Sequence, residues 1–226
     1  MCGRFSLSAS PEAIQELFSL SDAPKSPARY NIAPSQPVAA VRATTLGGKR
    51  DFTFFNWGLV PFWAKEPSIG ARMINARAET VAEKPSFRAA FRYRRCLIPA
   101  DGYFEWVNTD EGKQPFHIHQ PSNAPFAFAG LWERWESPDG SAIESCTIIT
   151  TEANQDVRKI HHRMPAILFP QDFERWLSPE DQKGTALLPV IQQIPEGVLV
   201  ANPVSKAVNR PVNDSPECIQ PLAAPA

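Results

Sequence analysis

Long apolar runs are missing from this chain of 226 residues: nothing in it approaches the ~20 consecutive apolar residues needed to span a bilayer. The start also lacks the basic and then apolar stretch of a secretory signal, so a cytoplasmic protein with no membrane partner is expected. Cysteine is scarce and scattered. Cys2, Cys96, Cys146 and Cys218 form no C-x-x-C pair, which argues against a zinc site or a disulfide framework and suits thiols kept free in a reducing compartment. His117 and His119 alternate with Phe116 and Ile118 and could point from one strand face as ligands, but exposure to solvent is the simpler reading. No further spacing completes a ligand set, and neither a metal nor a cofactor is assigned. Repeats are absent, as are low-complexity linkers other than the Pro/Ala tail ending at Ala226, so a single domain over 1–226 is expected.

Net charge is nearly absent too, at −1, but that value hides an asymmetry. Residues 1–105 carry 14 Lys/Arg against 9 Asp/Glu, which leaves 9 against 15 for residues 106–226 out of totals of 23 and 24. The densest basic stretch runs from Arg72 to Arg95. Such a stretch is commonly a solvated helix face, and it is also what one wall of a nucleic-acid groove requires.

What the chain has in excess is proline, 23 residues or about a tenth of the total against a usual ~5%, which favours short elements and many turns. Ser10-Pro11 before EAIQELF reads as an N-cap, a proline at the first helical position and a short amphipathic helix. A second helix is expected over Lys84–Tyr93. The remaining apolar runs, PVAAVRA, FTFFNWGLV, CLIPADGYFEWV, PFHIHQ, FAFAGLWERW, SCTIITTEA and PAILF, read as strands, with a hairpin across EWVNTDEGKQPFHI. Strands outnumber helices. The expected fold is α+β, one domain with a curved antiparallel sheet or barrel-like core flanked by short helices.

Several polar residues sit inside apolar or aromatic settings. Cys2 has only a methionine before it, and trimming of Met1 would leave an amine and a thiol on adjacent carbons, although a cysteine in a first strand is commonly just a small apolar residue. Glu105 lies between Phe104 and Trp106. Desolvated, it would hold its proton more tightly and could act as an acid or base; on an alternating strand it would instead point to water, which is the reading the residues alone favour. Asn75 and Arg77 in MINARAET, and His161 or His162 in IHHRMP, complete the set. Trp57, Phe62 and Trp63 could stack on exposed bases, though most such aromatics are core.

The ordered segments MCGRF, RYNIAPSQ, WGLVPFW, INARAET, CLIPADGYFEW, TIITTEAN and IHHRMPAIL resemble the successive motifs of the SOS response-associated peptidase (SRAP) family, from Cys2 to about Val204. The resemblance implies a sensor and covalent shield of abasic sites in single-stranded DNA, acting at junctions of single and double strand, as a monomer that joins the nucleoid when bound. It implies that mature Cys2 forms a thiazolidine with the ring-opened deoxyribose. By their places in the motifs, Asn75 resembles the residue that holds the N-terminal cysteine and the sugar, Glu105 the proton shuttle, and His161 the histidine beside the opened sugar. The neighbouring His162 leaves the choice between the two open. Arg4 and Arg77 would grip phosphates, which fixes register without reading sequence. Asn31, Pro34, Phe62, Trp63 and Thr150 would line the DNA path, the aromatic pair resembling a wedge against a continuing duplex.

Two other classes compete. An N-terminal-nucleophile amidohydrolase also begins Met-Cys-Gly and uses its freed amine as the base for its own thiol, but Arg4 stands where such chains carry an apolar residue and no His-Asn-Gly motif is present. A peptidase acting on other proteins is the second; removal of its own first residue is a narrower use of the same site.

Overall fold

The computed structural model describes residues 2–44, 49–178 and 186–223. Its strands are β1 (Phe5–Leu7), β2 (Arg29–Ile32), β3 (Pro37–Ala43), β4 (Arg50–Trp57), β5 (Asn75–Arg77), β6 (Arg95–Ala100) and β7 (Gly102–Thr109). They continue with β8 (Gly112–His119), β9 (Phe126–Glu136), β10 (Ala142–Glu152), β11 (Arg163–Pro165), β12 (Ile167–Leu168) and β13 (Val200–Pro203). Four short helices are described: α1 (Pro11–Phe18), α2 (Arg88–Tyr93), α3 (Gln155–Arg158) and α4 (Pro170–Leu177).

In the larger sheet β10, β4, β3, β6 and β9 follow one another, and β9 pairs back onto β10, so the ring closes as a barrel. Closure removes the open edge that a sheet of this kind would otherwise present. Outside the ring, β5 and β11 attach to β10, and β12 to β9. The second sheet runs β13-β8-β7-β1-β2, antiparallel throughout. Phe5 joins the two sheets, its ring edge-on to Trp57 at 5.2 Å and to Phe128 at 5.5 Å. One core of buried side chains therefore serves both sheets, and the chain is a single α+β domain with a barrel-like centre.

Local chemistry explains where the elements begin and end. Helix α1 starts as its sequence implies, with Ser10 Oγ accepting from the Ala13 amide at 3.2 Å and Pro11 at the first helical position. The second helix is shorter than the pattern suggests: Pro85 disfavours helical backbone at Lys84, and turns occupy the chain until Arg88. The hairpin is present, with Thr109 opposite Gly112 and Gly112 at φ +102°.

Two readings are corrected, and Trp57 takes the core alternative. CLIPADGYFEWV is two strands in different sheets, β6 and β7, broken at Asp101. Trp57 is core, fully buried with its indole N–H donating to Ile74 O at 2.9 Å. His117 and His119 do not face solvent: both are buried and stacked with ring centroids 5.0 Å apart, with the Phe104 ring 4.9 Å from His117 and Asn202 of β13 against His119.

Burial, with His119 adding to it, pushes His117 down to about 3. Its ring is neutral in the fold and takes a proton near pH ~6.5 once unfolded, so the unfolded state gains protons first as pH falls. Stability is thus complete above about pH 6.5 and is lost on acidification at on the order of 1 kcal/mol per pH unit down to about pH 3. Denaturant titrations at several pH values check this. The stability difference between wild type and His117→Gln is expected to stay flat above about pH 6.5 and narrow below it. A constant difference down to pH 4 would show that His117 accepts its proton inside the fold.

Candidate active site

Four segments bring the candidate residues together. The chain entering β1 carries Cys2, β5 carries Asn75, β7 carries Glu105, and the turn before β11 carries His161. Strand β10 organises two of these: Asn75 lies opposite Ile148, Arg77 opposite Thr150, and Arg163 of β11 opposite Glu152. The pairing of Phe5 with Tyr103, continued toward the N-terminus, sets Gly3 opposite Glu105. The amide of Phe104 donates to Arg4 O at 3.0 Å and holds that register.

Cys2 is fully buried, and Asn75 Nδ2 donates to its carbonyl at 2.8 Å. Burial pushes its thiol well above the usual range, and the charge of Glu105 pushes it further in the same direction. The sulfur is therefore a thiol rather than a thiolate at neutral pH. Asn75 Oδ1 is buried and has no hydrogen-bond partner among the described residues. Met1 lies outside the described residues.

Glu105 is 4% exposed, which overturns the expectation that it points to water. His161 Nδ1 stands 3.9 Å from Glu105 Oε1. That same Nδ1 lies 2.9 Å from the Arg163 amide and 3.0 Å from the Arg163 carbonyl, so it meets a donor or an acceptor according to its tautomer. His162 stacks on His161 at 4.4 Å but is itself exposed, and its neighbour His161 is the main cause of its lowered pKa. Of the two histidines, His161 is the one facing Glu105.

The other candidates fall into two groups. Arg4 is engaged within the protein: Nη1 donates to Asn31 Oδ1 at 2.8 Å and to Val208 O at 2.7 Å, with Trp106 below its guanidinium. Asn31 is buried and donates to the carbonyls of Val208, Arg210 and Asn213. Thr150 is buried too, its carbonyl receiving Arg163 Nη2 at 2.6 Å, while Arg163 forks onto Glu79. Exposed, by contrast, are Arg77, Phe62 at 59% and Trp63 at 49%, with Pro34 half-buried on the turn that hands its chain to Ser35. The basic stretch is not one face. Arg94 pairs with Glu133 at 2.7 Å and Arg95 is buried against the carbonyls of Phe91 and Trp176, leaving Arg72, Arg77, Lys84 and Arg88 outside.

Asp101 escaped the sequence reading. Its carboxylate accepts from the Ser6 and Ser8 hydroxyls and from the amides of Ser8 and Ala9, fastening β1 to the start of β7. An acidic residue before glycine between two apolar runs reads as a turn, and only the long-range partners reveal the anchor. Among the described residues no group of three or more His, Cys, Asp or Glu side chains gathers as a metal site. None of their helices is long and apolar enough to cross a membrane.

A buried N-terminal cysteine set against an asparagine, a glutamate and a histidine on a barrel with a second sheet defines a class of protein. The family model for SOS response associated peptidase (SRAP) matches residues 1–211. The abasic site processing protein YoqW of Bacillus subtilis is 42% identical over 225 residues, covering 97% of this chain and 99% of that one. YedK of Escherichia coli, also named an abasic site processing protein, is 32% identical, covering 98% of this chain and 100% of its own. The abasic site processing protein HMCES of Gallus gallus is 35% identical over 190 residues, 74% of this chain and 56% of its own. A crystal structure of a Bacteroides thetaiotaomicron protein superposes with a TM-score of 0.84 at 28% identity, covering 98% of this chain and 100% of that one. The chain belongs to the SRAP family.

Proposed function

We propose that this protein processes abasic sites in single-stranded DNA by forming a covalent conjugate through Cys2. The carrying observation is the placement of Cys2, its carbonyl tied by Asn75 at 2.8 Å, beside a buried Glu105 that has His161 at 3.9 Å. Once Met1 is gone, the α-amine has a reference pKa of ~7.7 to 8.0 and is partly neutral at physiological pH, unlike a lysine near ~10.4. It attacks the aldehyde of the ring-opened deoxyribose, and loss of one water gives an imine. The thiol then adds across the C=N bond, its sulfur bonding to carbon and its proton passing to nitrogen. The product is a five-membered thiazolidine, which requires amine and thiol on adjacent carbons.

The protonated state of the buried thiol suits this order, amine first and sulfur second. Glu105 moves protons during ring opening, dehydration and closure. His161 serves the opened sugar hydroxyl and reversal. Asn75 Oδ1 accepts from the Cys2 amine or a sugar hydroxyl.

Incubation with single-stranded DNA carrying one abasic site tests the reading. The expected product survives denaturation, has the summed mass less one water, and maps to Cys2 of a chain lacking Met1. An adduct on a lysine would overturn the thiazolidine.

Exposed Arg77 is proposed to contact phosphate, with Phe62 and Trp63 stacking at a junction of single and double strand. Arg4 and Asn31 would then act through the shape of the loop they brace. Affinity for single strands is expected to fall with salt at a slope of about −0.7 per phosphate neutralised, and Arg77→Ala to reduce that slope by about one such step. An unchanged slope in a salt titration would remove Arg77 from the contact.

A further inference from the structure

Beneath the candidate site lies a buried chain of polar side chains that none of the proposed steps uses. Asp101, Ser6 and His117 are each under a tenth exposed. A carboxylate only accepts, so the hydrogen of the Ser6 hydroxyl is spent on Asp101 Oδ1. Ser6 Oγ can then only accept from His117 Nε2, which is 3.0 Å away and therefore carries the ring proton. His119, stacked on His117, is fixed from outside: Gln120 O faces its Nδ1 at 2.8 Å and Asn202 Nδ2 meets its Nε2 at 2.9 Å. The serine stands between the acid and the imidazole with its proton turned away from any opening, an order useless for nucleophilic attack.

The chain ties together three strands. Ser6 belongs to β1, which begins just after Cys2; His117 belongs to β8; Asp101 precedes β7, which carries Glu105. Ser6 lies opposite Gly102, and a Cβ at Gly102 would stand 2.1 Å from His117 Nε2, so the imidazole occupies the space left by that glycine. The Asp101 amide returns the tie by donating to Ser6 O at 3.0 Å. A one-residue slip of β1 would break every link and turn Cys2 to the other face.

We infer that Asp101, Ser6 and His117 form a register lock that positions Cys2 against Glu105. This rests on the proposed reaction, in which reactive geometry sets the rate. These three are positioning residues, and losing a link slows the chemistry while leaving DNA affinity in place.

The test uses full-length Ser6→Ala, His117→Phe and His117→Gln, the last retaining an amide that can donate to Ser6. Three quantities are read: the conjugation rate at saturating single-stranded DNA with one abasic site, the affinity for the same strand carrying an unreactive tetrahydrofuran analogue, and hydrogen exchange at the Asp101 and Phe104 amides. Ser6→Ala and His117→Phe are expected to slow the saturated rate by about 10-fold or more, within the range that a small misplacement of reacting groups produces. Affinity should change by less than about two-fold, exchange at both amides should quicken, and His117→Gln should recover most of the rate. Quickened exchange with an unchanged rate overturns the positioning role, as does a loss of affinity equal to the loss of rate. If the wild type forms no conjugate, the functional reading falls by itself, while exchange still decides the lock: unchanged amides in Ser6→Ala overturn it.

Discussion

A chain that keeps Met1, or carries an N-terminal tag that is not removed, is expected to bind single-stranded DNA and form no conjugate that survives denaturation. The extension turns the Cys2 amine into an amide, whose nitrogen lone pair is delocalised into the carbonyl and cannot make an imine. The thiol persists. Alone it adds to the aldehyde only as a hemithioacetal, which has no neighbouring amine to close a ring and reverts under denaturing conditions. Burial adds to this, because the neutral sulfur is the weaker nucleophile of its two forms. Cys2→Ser separates the two functions of the residue: its amine still forms an imine, so borohydride traps it, while the blocked chain stays free. A robust conjugate from the blocked chain, measured on a denaturing gel and by mass, would return Cys2 to a purely structural part.

Glu105→Gln is expected to slow conjugation by roughly 10² or more with affinity for the strand nearly intact. The substitution keeps the shape of a side chain that is 4% exposed, and removes its capacity to take and return a proton beside Cys2. Single-turnover rates at saturating DNA, set against binding of an unreactive strand, distinguish the two effects. Equal losses in both would make Glu105 a structural residue. His161→Ala, acting 3.9 Å away, is expected to alter reversal more than formation, and an effect from His162→Ala in its place would shift the assignment by one residue.

Much of this was legible before any fold was known, and the divide follows a physical line. Helix α1, the β7–β8 hairpin and the strand-rich class announce themselves through caps, turn residues and alternation, all of which are local. The candidate residues of the site were picked out by their places in ordered motifs, not by any local pattern. What stayed hidden depends on partners far away in sequence. Glu105 alternates as a solvent-facing residue would, yet it is buried, with His161 3.9 Å away. His117 and His119 look like outward pairs until Phe104 and Asn202 are brought against them. Asp101 looks like a turn until β1 arrives. In Arg4 and Asn31 the motifs give no sign of the long-range hydrogen bonds both make to the Val208 carbonyl.

The segment that begins with Cys2 is made first and receives several of its partners last. Ser6 meets Asp101 across 95 residues of chain, and Arg4 meets Val208 across 204. Contacts of such separation form late, because the loop-closure entropy precedes any reward. During synthesis at ~5–20 residues per second, β1 must wait several seconds for β7 and longer for its C-terminal clamp. β2 is made early and can pair with β1, but until Asn75 and Glu105 have been made Cys2 lacks the side chains set against it in the fold, so the start of the chain is open to an aminopeptidase before the fold can shelter it. Topology thus leaves time for the proposed removal of Met1 before Cys2 is buried.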